Sequence, residues 1–178
     1  MKALSLIFLF AFFASCSDKK TFEKKDSETK YSFEHLLNYN REDTLFIKSK
    51  FADCGEWGGH QELIKVYSLE RKIKLTYIKY KINCGISDEK GSIIQTKDIT
   101  KSFLLSKPQQ AGLMNYMNGL MKLKFSEKEY GNSGNSFLVE DSRGELKFSQ
   151  YGNNNDFLDN YNGLMKNLGL PEVIIRSK

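Results

Sequence analysis

From Thr44 onward the chain alternates between apolar and polar positions. Leu45, Ile47 and Phe51 share one parity. In the next segment Ile64 and Val66 stand between Leu63, Lys65, Tyr67 and Leu69, and further on Ile73, Leu75 and Tyr77 are separated by Lys74 and Thr76. A period of two marks a half-buried strand, so three consecutive antiparallel strands are predicted. After Tyr77 the apolar parity moves to Ile78, Tyr80 and Ile82, a shift that one extra residue in a β-bulge near Tyr77 would produce. Residues 92–100 are read as a fourth strand.

The period then changes. Ser106 and Gln109 have capping-box spacing, Pro108 falls in the first turn where it is tolerated, and Leu113, Met117 and Leu120 follow at helical intervals. This predicts a helix ending near Lys122. Residues 131–135 read as loop. Phe137-Leu138-Val139 and Leu146-Lys147-Phe148 flank the turn sequence Asp141-Ser142-Arg143-Gly144, which predicts a hairpin. A second helix carries Phe157, Tyr161, Leu164 and Leu168 on one face and stops at Gly169, with Pro171 beyond it. A short helix over 31–40, capped by Ser32 with Tyr31 stapled to Leu36, and a last strand over 172–176 complete the expectation. The fold class expected is therefore α+β: a mostly antiparallel sheet with two principal helices on one face. Asn118-Gly119-Leu120-Met121-Lys122 in the first of these helices reappears as Asn162-Gly163-Leu164-Met165-Lys166 in the second. A duplicated strand-strand-helix unit would explain the match, as would coincidence in letters common in helices.

Composition narrows the class. With 40% hydrophobic and 13% aromatic residues and only two prolines, 178 residues suffice for one folded domain with a single core. The net charge of +5 falls by one with loss of Lys2. Arginine is scarce and the lysines alternate with apolar residues along strands, which describes the solvated face of a sheet rather than a polyanion site, so no nucleic-acid partner is expected.

The N-terminus departs from this pattern. Met1-Lys2 is followed by an apolar run from Ala3 to Ala14, shorter than the roughly 20 residues that span a bilayer as a helix. The stretch Phe13-Ala14-Ser15-Cys16 resembles the lipobox of bacterial lipoproteins. That resemblance covers the first sixteen residues. It implies that 1–15 is a signal peptide and that Cys16 is acylated, palmitate among its acyl chains, giving stable attachment to the membrane of the cell envelope. Ser17, where Asp would imply retention in the inner membrane, points to the outer membrane. Residues 17–30 are nearly all Lys, Glu, Asp, Ser and Thr and read as a flexible tether, reaching about 45–50 Å when extended. Residues 31–178 form the single globular domain.

Two cysteines remain, Cys54 and Cys84, in a compartment that favours oxidation. A disulfide between them, closing a loop of about thirty residues, contributes about 3–4 kcal/mol in the chain-entropy model. The densest cluster of functional residue types lies beside Cys54, in the Gly-rich segment 53–62: Asp53, Glu56, Trp57, His60 and Glu62. Two readings compete there. In the first, glycines make a turn, Trp57 packs over the disulfide, the acids are solvated and the loop contacts a partner. In the second, Asp53, Glu56, His60 and Glu62 converge on a divalent metal and His60 serves as a general base. His35, the other histidine, reads as a surface residue. No phosphate-cradling Gly loop, Gly-x-Ser-x-Gly elbow or His-Glu-x-x-His helix occurs. The Gly- and Asn-rich segments 130–135 and 151–155, flanked by tyrosines, are turn chemistry that also suits contact with proteins or glycans. The expectation is thus an envelope lipoprotein that binds a protein or glycan partner without catalysis, as an accessory, inhibitor or immunity-type module, with no catalytic residue, metal or cofactor. A periplasmic metal-dependent hydrolase and a structural tether between membrane and cell wall are the alternatives.

Overall fold

A computed structural model describes residues 33, 36–37, 43–90, 93–125 and 133–175. Cys16, His35, the tether and most of the expected first helix lie outside the described residues; of that helix, a turn bond from Leu36 N–H to Phe33 O is described. Six strands make one antiparallel sheet: β1 Thr44–Phe51, β2 His60–Leu69, β3 Lys72–Tyr80, β4 Lys97–Leu104, β5 Asn135–Asp141 and β6 Lys147–Gly152. Their order across the sheet is β4-β3-β2-β1-β5-β6. Helices α1 (Lys107–Leu123) and α2 (Asn155–Leu168) pack on each other and on one face of the sheet. The fold is α+β.

The apolar periodicity shows directly in what is buried. Leu45, Ile47 and Phe51 of β1, Ile64 and Val66 of β2, Leu75 and Tyr77 of β3, and Phe137 and Val139 of β5 meet Leu113, Tyr116, Met117 and Leu120 of α1 and Phe157, Tyr161, Leu164, Met165 and Leu168 of α2 in one core. The opposite face carries Lys48 and Lys65, both of which approach the Phe46 ring. Helix α1 begins as expected: the Ser106 side chain accepts from Gln109 N–H, and the Gln109 side chain accepts from Ser106 N–H in return. Asn154 caps α2, and Gly169 ends it in the left-handed conformation that lets two carbonyls find partners.

Three expectations are corrected. The fourth strand starts at Lys97 and runs to Leu104 rather than over 92–100, because residues 93–96 are taken up by a bridge from Ile93 to Ser87 and by the bond from Lys81 N–H to Thr96 O. Register between β2 and β3 is continuous through Tyr77. The irregularity lies between Lys79 and Tyr80, whose β4 partners are Ile99 and Lys97, so the extra residue, Asp98, belongs to β4. Finally, residues 171–175 form no strand. The backbone of Val173 is instead satisfied by one side chain, Asn162, which accepts from its N–H at 2.8 Å and donates to its C=O at 3.0 Å.

The topology repeats itself in outline. Each half supplies one central strand (β2 or β1), an outer hairpin (β3-β4 or β5-β6) and the helix that follows that hairpin. The two Asn-Gly-Leu-Met-Lys segments occupy both helices, and their Leu120 and Leu164 are buried in the same core.

Candidate functional site

The segment 53–62 divides into a displayed turn and a buried anchor. Residues Gly55–Trp57 form a single 3-10 turn closed by the Cys54 N–H bond to Gly58 O at 3.0 Å. Gly59 pairs with Asn83 through two backbone hydrogen bonds of 2.9 Å. Only glycine fits there, because a Cβ would overlap the Phe51 carbonyl and stand 2.7 Å from Asp53 N. The Cys54–Cys84 disulfide joins the same two segments covalently. The turn is therefore held to its neighbour by backbone pairing and by a covalent cross-link. Trp57, at its tip, is 76% exposed and Glu56 is also exposed. Burying an indole is worth a few kcal/mol, so a rigid loop that keeps one in water is a feature to explain.

His60 and Glu62 take the opposite course. They share the parity of Ile64 and Val66 and so point into the core, 3% and 2% exposed. The expectation of solvated acids is corrected for Glu62, which is buried, and for Asp53, whose carboxylate is engaged by His60, and holds for Glu56. Asp53 accepts from both His60 N–H, at 2.8 Å, and His60 Nδ1, at 2.5 Å, and so clasps the two ends of the Trp57 loop. On its other side His60 Nε2 lies 3.4 Å from Glu62 Oε1, an ion-pair approach, and Lys79 Nζ lies 3.5 Å from that same oxygen. Tyr161 of α2 donates to Glu62 Oε2 at 2.8 Å. The Phe51 ring stacks on the imidazole with centroids 4.7 Å apart.

The electrostatics follow from this alternation of sign. Burial alone would drive the His60 pKa down, but the carboxylates of Asp53 and Glu62 outweigh it and raise the pKa above the ordinary value. Burial likewise opposes ionisation of Asp53, yet the hydrogen bonds and positive charge of His60 hold its carboxyl below the usual range. Burial and the charge of Glu62 push the Tyr161 phenol well above its normal pKa, so this hydroxyl stays a donor. Asp53, His60, Glu62 and the partly exposed Lys79 thus alternate in the sign each can carry, with His60 Nε2 and Glu62 Oε1 facing each other as an ion-pair approach without a hydrogen bond.

This arrangement is a chain rather than a ligand set. Asp53 and Glu62 address opposite nitrogens of His60, Glu56 points to solvent, and among the described residues no three His, Cys, Asp or Glu side chains are grouped so as to hold a metal ion. What the fold does bring together is the Trp57 turn and the two Asn-rich loops. Ala52, Asp53, Cys54, Gly55 and Trp57 on one side, and Ser133, Asn135, Asn153, Asn155 and Leu158 on the other, line a cleft of about 830 Å³. That volume falls within the range of small-molecule and cofactor sites. The Asn135 side chain accepts from Ala52 N–H at 3.1 Å, and Asn153 donates to Ser133 O at 2.6 Å, so the same amides that line the cleft also fasten its walls.

Sequence reasoning placed the Trp57 loop and the Asn-rich loops separately and missed that they face each other. It also missed Tyr161 and Lys79 as partners of Glu62. The one signal in the sequence was the shared parity of His60 and Glu62 with Ile64 and Val66. Comparison with protein-family models, with curated proteins and with solved structures finds no match to this chain.

Proposed function

We propose that this protein is a lipid-anchored envelope lipoprotein, attached through Cys16 to the outer membrane, whose globular domain is a non-enzymatic binding module. Its contact surface is the cleft around Trp57. The observation that carries this reading is the exposed indole on a clamped turn. The disulfide, the Gly59–Asn83 pairing and the Asp53–His60 clasp all fix the backbone beneath Trp57, whose own side chain lies in solvent. An aromatic anchor presented in this way loses little conformational entropy on binding, the property that makes Trp prominent among energetically dominant contact residues.

The module is tested by cross-linking the tagged protein in its native envelope and analysing what is captured. Trp57→Ala is expected to abolish capture and to change folding stability by no more than about 0.5 kcal/mol, the usual range for an exposed position. Undiminished capture by the variant would remove Trp57 from the site. The anchor is tested separately: labelled palmitate is expected to enter the wild-type chain and not Cys16→Ser, and its entry into both would remove Cys16 as the acylation site.

A further inference from the structure

The cleft's chemistry goes further than its position. Among the described residues that line it, none is Lys or Arg, and the single acid, Asp53, is already engaged by His60. Its polar surface consists of amides and a hydroxyl. Asn135 accepts from Ala52 N–H through Oδ1 and Asn153 donates one Nδ2 hydrogen to Ser133 O, so each carboxamide is oriented by one bond and has donor and acceptor capacity beyond it. Asn155 and Ser133 add more of both kinds. The apolar contribution comes from Trp57, Leu158 and Ile175.

A hollow of about 230 Å³ adjoins this cleft across the same turn, sharing Ala52, Gly55 and Ser133. It adds Gln61, Gln95 and a second exposed aromatic, Tyr151, together with Lys50, Glu56 and His60, the last already engaged by Asp53. The combined surface is an amide-lined track with an exposed aromatic ring in each part. Charged ligands lack a counter-charge in the larger part, and purely apolar ligands would strand its amides without partners. A ligand with vicinal hydroxyls along its edges and C–H faces for the rings satisfies both requirements.

From this we infer that the Trp57 cleft binds a neutral oligosaccharide, a sugar ring lying on Trp57 with its hydroxyls bonded to Asn135, Asn153 and Asn155. This inference rests on the binding-module reading and names its ligand class. Trp57 is the only tryptophan in the chain, so its emission reports on this cleft alone. The full-length protein, in a detergent without a sugar headgroup, is titrated with cello-, chito-, malto- and mannotetraose, and with a tetragalacturonate as the charged control. A saturable change in Trp57 emission is expected with at least one neutral tetrasaccharide and not with the uronate. Asn155→Ala should weaken that binding about five- to tenfold, the loss of one hydrogen bond, with the unliganded spectrum unchanged.

A photoreactive residue at position 56, on the same turn beside an intact Trp57 and used in the native envelope, distinguishes the ligand class from the binding module itself. A conjugate that glycosidase treatment releases supports the inference. Capture of an unglycosylated polypeptide, with no neutral sugar perturbing Trp57, overturns the oligosaccharide and leaves the binding module standing. No conjugate and no titration would overturn both.

Discussion

The two copies of Asn-Gly-Leu-Met-Lys offer a paired test of how far local sequence decides energetics, through Gly119→Ala and Gly163→Ala. Both glycines lie inside helices, where alanine is intrinsically favoured by about 0.5–1 kcal/mol. At Gly163 an added Cβ meets nothing within 4 Å, so the full propensity gain should appear as stabilisation of about 0.8 kcal/mol. At Gly119 the same methyl would overlap the Asn160 carboxamide, its Cγ 2.8 Å and its Nδ2 2.9 Å away. Asn160 Nδ2 donates to Tyr116 O at 3.0 Å across the helix pair, and that bond must break or the helices must part. Leaving those groups unpaired in a partly buried contact costs about 1–3 kcal/mol, from which the propensity gain is subtracted. A net loss of about 1–2 kcal/mol is expected, so the two variants should differ by about 2–3 kcal/mol with opposite signs. Urea unfolding of the purified variants, with equal m-values, measures this. Stabilisation by both substitutions would refute the assigned α1–α2 contact, because it would mean that Asn160 does not occupy the space beside Gly119.

Two further outcomes follow from the fold. The raised pKa of His60 and the lowered pKa of Asp53 act on opposite limbs of the stability–pH curve. The His60 contribution is full below its unfolded pKa of about 6.5 and is lost as pH rises through the higher folded value, whereas the Asp53 contribution is full above about 3.8 and is lost as pH falls through the lower folded value. Unfolding free energy should therefore decline on the alkaline side in the wild type, and His60→Gln should remove that decline; an unchanged alkaline limb in the variant would dissociate it from His60. The two-residue turn between β2 and β3 places Glu70 and Arg71 at φ values of 50° and 61°, which side-chain-bearing residues adopt at a cost. Replacing the pair with Asn-Gly should raise stability by about 1–2 kcal/mol in thermal or urea unfolding, and no gain would mean that the turn is not of this type.

Within the described residues, several locally caused features are legible in the sequence. Alternating apolar positions around Leu45, Ile64 and Leu75 marked strands because successive side chains leave a pleated strand on opposite faces. Ser106 with Gln109, and Gly169, marked helix ends because caps bond within a few residues of themselves. The Cys54–Cys84 pairing is expected in the sequence once Cys16 is set aside, and the structure carries it. The reading erred where the partner is remote. The parity shift after Tyr77 predicts a bulge there, while the extra residue sits in β4, whose register against β3 only the sheet sets. The last strand was expected from Val173 and its neighbours, yet an Asn162 side chain supplies the bonds that a strand partner would have made.

The candidate site shows the same division. Its residue types were on view in the segment 53–62, including an indole among glycines, two acids and a histidine. Period and composition alone determined that these residues lie on a turn entering a strand, beside a disulfide. Which of them face solvent and which face the core was decided by tertiary structure. Glu62 is buried because its partner Tyr161 arrives from 99 residues away, and Trp57 borders a cleft because loops near 133 and 153 close its far side. The parity that Glu62 shares with Ile64 and Val66 is its one mark in the sequence, and whether a carboxylate is sustained on that core face depends on charges and donors delivered by chain that folds around it later.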